Sequence, residues 1–403
     1  MNQDFQRLMT EATRLTQSGD LQAATAAIQS ALGMAGLPSA LAANDEPGSN
    51  LATDVIDVAV REVPVTAGQH QHEATGPQEV ASPQAATNAA APTAAPAATS
   101  TQAATGAAAA ATTARAETGT QAASQFIAGR YSTTAGARDY KLFIPAGAGD
   151  TPLPLVVMLH GCTQGPDDFA AGTAMNELAQ AQRMYVLYPA QSQQANPQRC
   201  WNWFKHSHQQ RGRGEPALLA GMTRQVMAQH SVDPSRVYVA GLSAGGAMAA
   251  ILGDTHPDLY AAVGVHSGLA AGAASDLPSA LQAMQGNGAR PKASARHVPT
   301  IVFHGDADAT VHPRNGEQVA AASSADGGEA DVQPHQPAGK RRSTRSVHRD
   351  AGGKVLAEHW LVHGAAHAWS GGDVRGSYTD AKGPDASAEM LRFFLEHPRR
   401  AAQ

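Results

Sequence analysis

One stretch limits what this chain can fold into more than any other. The apolar run Val237-Tyr238-Val239-Ala240 leads without a break into Gly241-Leu242-Ser243-Ala244-Gly245, and Gly246, Ala247, Ala249 and Ala250 follow. A continuous apolar run of that length reads as a strand covered on both faces. The small residues behind it let a helix pack back against the strand. A sharp strand-to-helix turn strains the backbone of the serine it carries, and glycines two before and two after Ser243 relieve the crowding. The pattern alone is weak, because 39 glycines in 403 residues make a chance match unsurprising. The strand before it and the small residues after it carry the reading. The alternative is a serine that merely serves a turn, and the strand–turn–helix setting argues against it.

The same theme recurs on both sides of it. Leu155–Leu159, Tyr185–Tyr188, Ala262–Val265, Thr300–Phe303 and Val355–Val362 read as further strands. Between them lie helical patterns, one through Leu218, Leu219, Met222, Val226 and Met227, another through Met390, Leu391, Phe394 and Leu395. Asp385 is placed to cap the last helix and Pro398 to stop it. Strands alternating with helices predict a mainly parallel sheet flanked by helices, here an α/β-hydrolase fold over residues 126–398.

The chain before residue 126 is different. Phe5, Leu8, Met9, Ala12 and Leu15 form one apolar stripe, Gly19-Asp20 interrupts it, and Leu21, Ala24, Ile28 and Leu32 form a second. Residues 1–37 thus read as a helical hairpin, faintly similar to a single tetratricopeptide-type unit. One such unit cannot bury its own face, so the hairpin is a candidate for docking a partner or for self-association. Residues 38–125 are low in complexity, as in Ala89-Ala90-Ala91-Pro92-Thr93-Ala94-Ala95-Pro96, and read as a disordered Ala/Thr/Pro-rich linker.

Charge and composition exclude several classes. The net charge is −5 and the one basic cluster is Lys340-Arg341-Arg342 with Arg345, which reads as a solvated loop, so nucleic acid is not an expected partner. No apolar run reaches the roughly 18 residues that span a bilayer. The first residues lack the pattern of a signal peptide. The two cysteines, Cys162 and Cys200, fit one disulfide or two buried thiols. No metal-ligand spacing stands out and the histidines do not cluster at i, i+4 on a helix, so neither a metal nor another cofactor is expected.

A serine nucleophile needs a base to take its proton and an acid to orient the base. In this fold they follow in the order Ser, acid, His. Just past the strand Thr300–Phe303 comes His304-Gly305-Asp306-Ala307-Asp308. Both aspartates stand at a strand's carboxyl end, where catalytic groups of open α/β sheets collect. Asp308 is favoured, with Asp306 as a turn residue capping its own backbone. After the strand ending at Val362, His367 lies in a loop beside Ala368-Trp369 and is the expected base, whereas His363 continues the strand as a packing or surface residue. The oxyanion needs backbone N–H donors, one from the residue after the nucleophile and one from the loop after an early strand. These are Ala244 and Cys162, the latter in His160-Gly161-Cys162-Thr163-Gln164. His160 reads as an organiser of that loop. Trp201 and Trp203 are candidates for the substrate pocket or for the core. The segment 270–296 is a candidate cap or a mobile loop.

Together, His160–Gln164, Cys200-Trp201-Asn202-Trp203-Phe204, Gly241–Gly246 and Gly364–Gly372 resemble the polyhydroxybutyrate depolymerase family of esterases, which in turn resembles feruloyl and acetylxylan esterases. Gly376-Ser377-Tyr378-Thr379-Asp380 and Gly383-Pro384-Asp385-Ala386 are family-like as well. The similarity covers about residues 126–397. It implies hydrolysis of polyester or short acyl esters through an acyl-enzyme, with Ser243, Asp308 and His367 as the triad and Cys162 and Ala244 as the oxyanion hole. It also implies a Cys162–Cys200 disulfide and an extracellular setting, against which the missing signal peptide leaves a cytoplasmic one open. With no polymer-binding module visible after His397, a soluble ester or short oligomer is the expected substrate. The rival readings are a feruloyl or acetylxylan esterase and a non-catalytic binding module on a hydrolase fold.

Overall fold

A computed structural model describes residues 123–399, apart from 134–135, 290–297 and 326. The helical segment expected at 1–37 and nearly all of the linker expected at 38–125 lie outside the described residues.

In chain order the main sheet comprises β1 (Gln125–Thr133), β2 (Gly136–Ile144), β3 (Leu153–Leu159), β4 (Tyr185–Pro189), β5 (Val232–Leu242), β6 (Ala262–His266), β7 (Thr300–Gly305), β8 (Asp331–His335), β9 (Ser343–Arg349) and β10 (Val355–Val362). They lie in the order β1-β2-β4-β3-β5-β6-β7-β10-β9-β8. The six strands from β4 to β10 in that order pair in parallel, and these are the apolar runs legible in the sequence. Every residue of β3, β4, β6 and β7 is buried, as strands covered on both faces require. Both edges are antiparallel: β1 and β2 on one side, β9 and β8 on the other. The sheet is therefore mixed rather than parallel throughout. A minor second sheet joins β11 (Trp369–Ser370) and β12 (Thr379–Asp380).

The helices are α1 (Pro166–Thr173), α2 (Met175–Gln182), α3 (Gly214–Gln229), α4 (Ala244–Thr255), α5 (Leu277–Gln282), α6 (Arg314–Ser323) and α7 (Ala386–Glu396). Alternate residues of the central strands feed two cores. Leu155, Val157, Leu159, Val237 and Val239 pack with Trp201, Leu219, Met222 and Met248 on one face. Val156, Met158, Tyr238 and Ala240 pack with Phe169, Trp369, Met390 and Phe394 on the other. Tyr238 stacks on Phe394 with ring centroids 5.0 Å apart, which fixes α7 under β5. Burying side chains of this size stabilises by roughly 1.5–3 kcal/mol each. Asp385 caps α7 through a 2.9 Å bond from the Ala388 N–H, as the sequence predicts. The strands thus converge their carboxyl ends on one edge of the sheet, and the site is built there.

Candidate active site

The turn from β5 into α4 places Ser243 at φ 57°, ψ −119°, a left-handed backbone that a non-glycine residue adopts only under strain. The Ser243 N–H donates to His266 O at 2.8 Å, tying the elbow to the end of β6. The flanking glycines are needed for space. A Cβ at Gly241 would lie 2.6 Å from Leu159 O, and one at Gly245 would lie 2.6 Å from His160 O, so either side chain would push β3 away from the turn.

Asp308 follows β7 and His367 follows β10, and the parallel pairing of those two strands brings the loops side by side. His367 Nδ1 lies 2.7 Å from Asp308 Oδ2. Asp308 Oδ1 accepts the N–H groups of Thr310 and Val311, each at 2.9 Å. Burial pushes the Asp308 carboxyl up, but hydrogen bonds from His304 and His367 outweigh it and hold the group well below the usual carboxylate range. Asp308 is therefore ionised, as a partner for imidazolium must be. Ser243 and His367 line the same cleft. Ser243 Oγ makes no hydrogen bond among the described residues; such contacts often close only around substrate.

Asp306 behaves differently from the expected self-capping turn residue. Its carboxylate binds His363 Nδ1 at 2.8 Å and the Gly364 N–H at 2.6 Å. It thereby staples the loop that carries His367 to the loop that carries Asp308. It is Asp308 that caps the turn. His363 in turn reaches Thr344 Oγ1 through Nε2 at 2.9 Å, so it braces the strand ends.

The loop after β3 is fixed from three directions. The Gly161 N–H donates to Gln164 Oε1 at 2.9 Å, and Gln164 Nε2 donates to Asp168 Oδ2 and Ser377 O at 2.9 and 3.1 Å. The Thr163 N–H donates to Gln198 O at 2.6 Å. A disulfide joins Cys162 to Cys200. The N–H groups of Cys162 and Ala244 have no protein acceptor among the described residues and remain available to a ligand. His160 organises this loop from below: its Nδ1 binds Gly161 O at 2.7 Å and its Nε2 accepts the Gln191 N–H at 3.1 Å. Burial takes the His160 pKa down to about 4, which keeps the ring neutral. Trp201 and Trp203, candidates for the pocket wall, are core residues instead. Both are buried, and the Trp201 indole N–H donates to His160 O at 3.1 Å beneath the loop.

The cleft over Ser243 has a volume of about 240 Å³. Its walls are Gly161, Cys162, Thr163, Gln164, Gln198, Cys200, Leu242, Met284, Thr310, His367 and Tyr378. Met284 comes from the segment considered as a cap and is tied to the acid loop by a 2.8 Å bond from His312 N to Met284 O. Tyr378 comes from the Gly376–Asp380 motif, which the sequence marks but to which it assigns no role. Among the described residues, no group of three or more His, Cys, Asp or Glu is arranged to hold a metal ion.

A strained serine elbow, an Asp–His pair beside it and two free N–H groups on a parallel-centred sheet define the class: the chain is an α/β-hydrolase. It belongs to the esterase PHB depolymerase family, whose model matches residues 138–345. It is similar to poly(3-hydroxyalkanoate) depolymerase C of Paucimonas lemoignei, with 31% identity over 258 residues, 59% of this chain and 60% of that protein. It is also similar to the poly(3-hydroxybutyrate) depolymerase of Ralstonia pickettii, with 28% identity over 282 residues, 64% of this chain and 57% of that protein. The chain thus spans less than two thirds of the length of either relative. Among solved structures, an acetyl xylan esterase from Aspergillus awamori shares the fold, with a TM-score of 0.53 and 17% identity over 67% of this chain and 99% of that one.

Proposed function

We propose that the chain is a serine carboxylic ester hydrolase that acts through an acyl-enzyme on hydroxyalkanoate-type or other short acyl esters. The carrying observation is the 2.7 Å bond from His367 to the buried, ionised Asp308, in the same cleft as Ser243. Asp308 orients the imidazole so that Nε2 faces the serine and is free of its proton. His367 takes the Ser243 Oγ proton as Oγ bonds to the ester carbonyl carbon. The resulting oxyanion is met by the N–H groups of Cys162 and Ala244. Collapse breaks the carbon–oxygen bond to the alcohol, which leaves with the proton from His367. A water then gives its proton to His367, attacks the acyl-serine and releases the acid, and the proton returns to Oγ. A cleft of about 240 Å³ walled by Leu242, Met284 and the Cys162–Cys200 disulfide suits a short acyl group.

We assign this activity to residues 126–398, with 1–37 and 38–125 outside the catalytic domain. The disulfide supports an oxidising, extracellular setting. Replacement Ser243→Ala is expected to lower turnover of p-nitrophenyl butyrate by at least about 10³-fold and to abolish labelling by a fluorophosphonate. An unchanged rate overturns the reading.

A further inference from the structure

Asp308 has a second imidazole beside it that the reaction as written leaves unused. His304 lies on β7, buried, with its Nε2 2.8 Å from Val311 O and 3.4 Å from Asp308 Oδ2. A carbonyl oxygen only accepts, so Nε2 carries the proton and Nδ1 is left as a lone pair. Nδ1 is buried and has no hydrogen-bond partner. The backbone of α6 closes that side, since a Cβ at Gly316 would come within 2.7 Å of Nδ1. The ring therefore presents its Nε2–H to Val311 O and the Asp308 carboxylate together, with Nδ1 against the backbone of α6.

Val311 makes this a closed clamp, because its own N–H donates to Asp308 Oδ1 while its carbonyl accepts from His304. The other groups facing the cluster are His367 from the loop after β10, His266 from β6 and His359 from β10. Burial lowers the pKa of His266, and that of His359 to about 4, so both are neutral spectators. The Asp308 carboxylate and His367 are left as the pair whose charges matter to the reaction.

We propose that His304 is a positioning residue for the Ser243–His367–Asp308 reaction, its Nε2–H fixing the Asp308 carboxylate and the Val311 carbonyl so that Oδ2 stays aimed at His367. This rests on the serine-esterase reading above. Removing the N–H frees the carboxylate to rotate, and leaves it with one fewer donor, so it binds the imidazolium of His367 more strongly.

The test is kcat and KM for p-nitrophenyl butyrate as a function of pH in His304→Leu and His304→Gln. For His304→Leu, kcat is expected to fall about tenfold with KM within about twofold, and the acid limb of kcat/KM to move to higher pH by about 0.5. The amide of His304→Gln carries an N–H near the position of Nε2, and should restore kcat to within about threefold and return the limb to its wild-type place. A folded His304→Leu enzyme with wild-type kcat and limb overturns the proposal. So does an equal loss in both variants with no movement of the limb, which is the mark of packing alone. Should His304→Leu not fold, His304→Asn decides, because its shorter amide leaves Asp308 without the donor: a wild-type limb overturns the proposal and a raised limb supports it. A wild-type rate in Ser243→Ala sinks the esterase reading itself. Wild-type profiles in the His304 variants beside an inactive Ser243→Ala sink this inference alone.

Discussion

Asp306 and Asp308 stand two positions apart in one turn, yet the fold gives them different work. Asp308 faces His367, whereas Asp306 binds His363 and the Gly364 N–H on the neighbouring loop. Replacement Asp308→Asn should leave the imbalance a triad without its acid shows: the amide no longer favours the imidazole tautomer that presents a free Nε2 to serine, and kcat falls by about 10³–10⁴. Asp306→Asn keeps an oxygen for Gly364 and should cost less than about tenfold. Steady-state kinetics on both variants checks this, and an inactive Asp306→Asn beside an active Asp308→Asn would reverse the two assignments. That Asp308 rather than Asp306 would face His367 was legible, because chain order and strand ends restrict which residues can meet there. The partner of Asp306 was not legible, since His363 is 57 residues away and is brought in only by the β7–β10 pairing. Tyr378 and Met284 were missed as cleft walls for the same reason, and Trp201 and Trp203 were left open because a tryptophan suits a core and a pocket equally.

At the level of elements, the loop after β3 depends on a covalent tie as well as on hydrogen bonds. The Cys162–Cys200 bridge closes a separation of 38 residues, and the bonds from Gln164 hold the far side of the loop. In the chain-entropy model such a closure stabilises by about 3–4 kcal/mol. The paired change Cys162→Ser with Cys200→Ser should therefore lower the unfolding free energy in urea by about that amount. It should also lower kcat more than it raises KM, if the Cys162 N–H serves the oxyanion, as proposed, rather than the bound ester. An unchanged urea midpoint would show the bridge to be redundant with the hydrogen bonds. The strands around this loop were readable because β3 and the second half of β5, residues 237–242, are buried apolar runs. The edges were not: β8 is exposed along nearly its whole length and β1 along most of it, so neither carries an apolar pattern. The short helices α1 and α2 escaped too, since eight residues each give barely two turns of periodicity.

For the whole domain, the buried histidines make stability depend on pH. Burial takes His160 and His359 each down to about 4, whereas an unfolded chain binds those protons near pH 6.5. Between those values the unfolded state holds more protons than the native state, so stability rises with pH across the window and is lost as pH falls through it. The slope is about 1.4 kcal/mol per pH unit for each such ring, which amounts to at most about 3.5 kcal/mol per histidine. The depressed carboxyls of Asp308 and Glu358 add losses of the same sign at lower pH, because folded carboxylates with lowered pKa are destabilised as they are protonated. Urea midpoints measured from pH 6.5 down to 4 should therefore drop steeply. In His160→Gln, where an amide oxygen can still accept the Gln191 N–H, the slope should ease by about 1.4 kcal/mol per pH unit. An identical slope in that variant would mean that His160 takes up its proton without unfolding, and that the ring beneath the oxyanion loop is wetter than its burial implies. Loss of His160 in the acid also bears on activity, because the same ring supports Gly161 and so the Cys162 N–H. Turnover and stability should then fall together on the acid side, and rate measurements made soon after a pH jump would separate any fast, reversible loss of activity from this slower collapse.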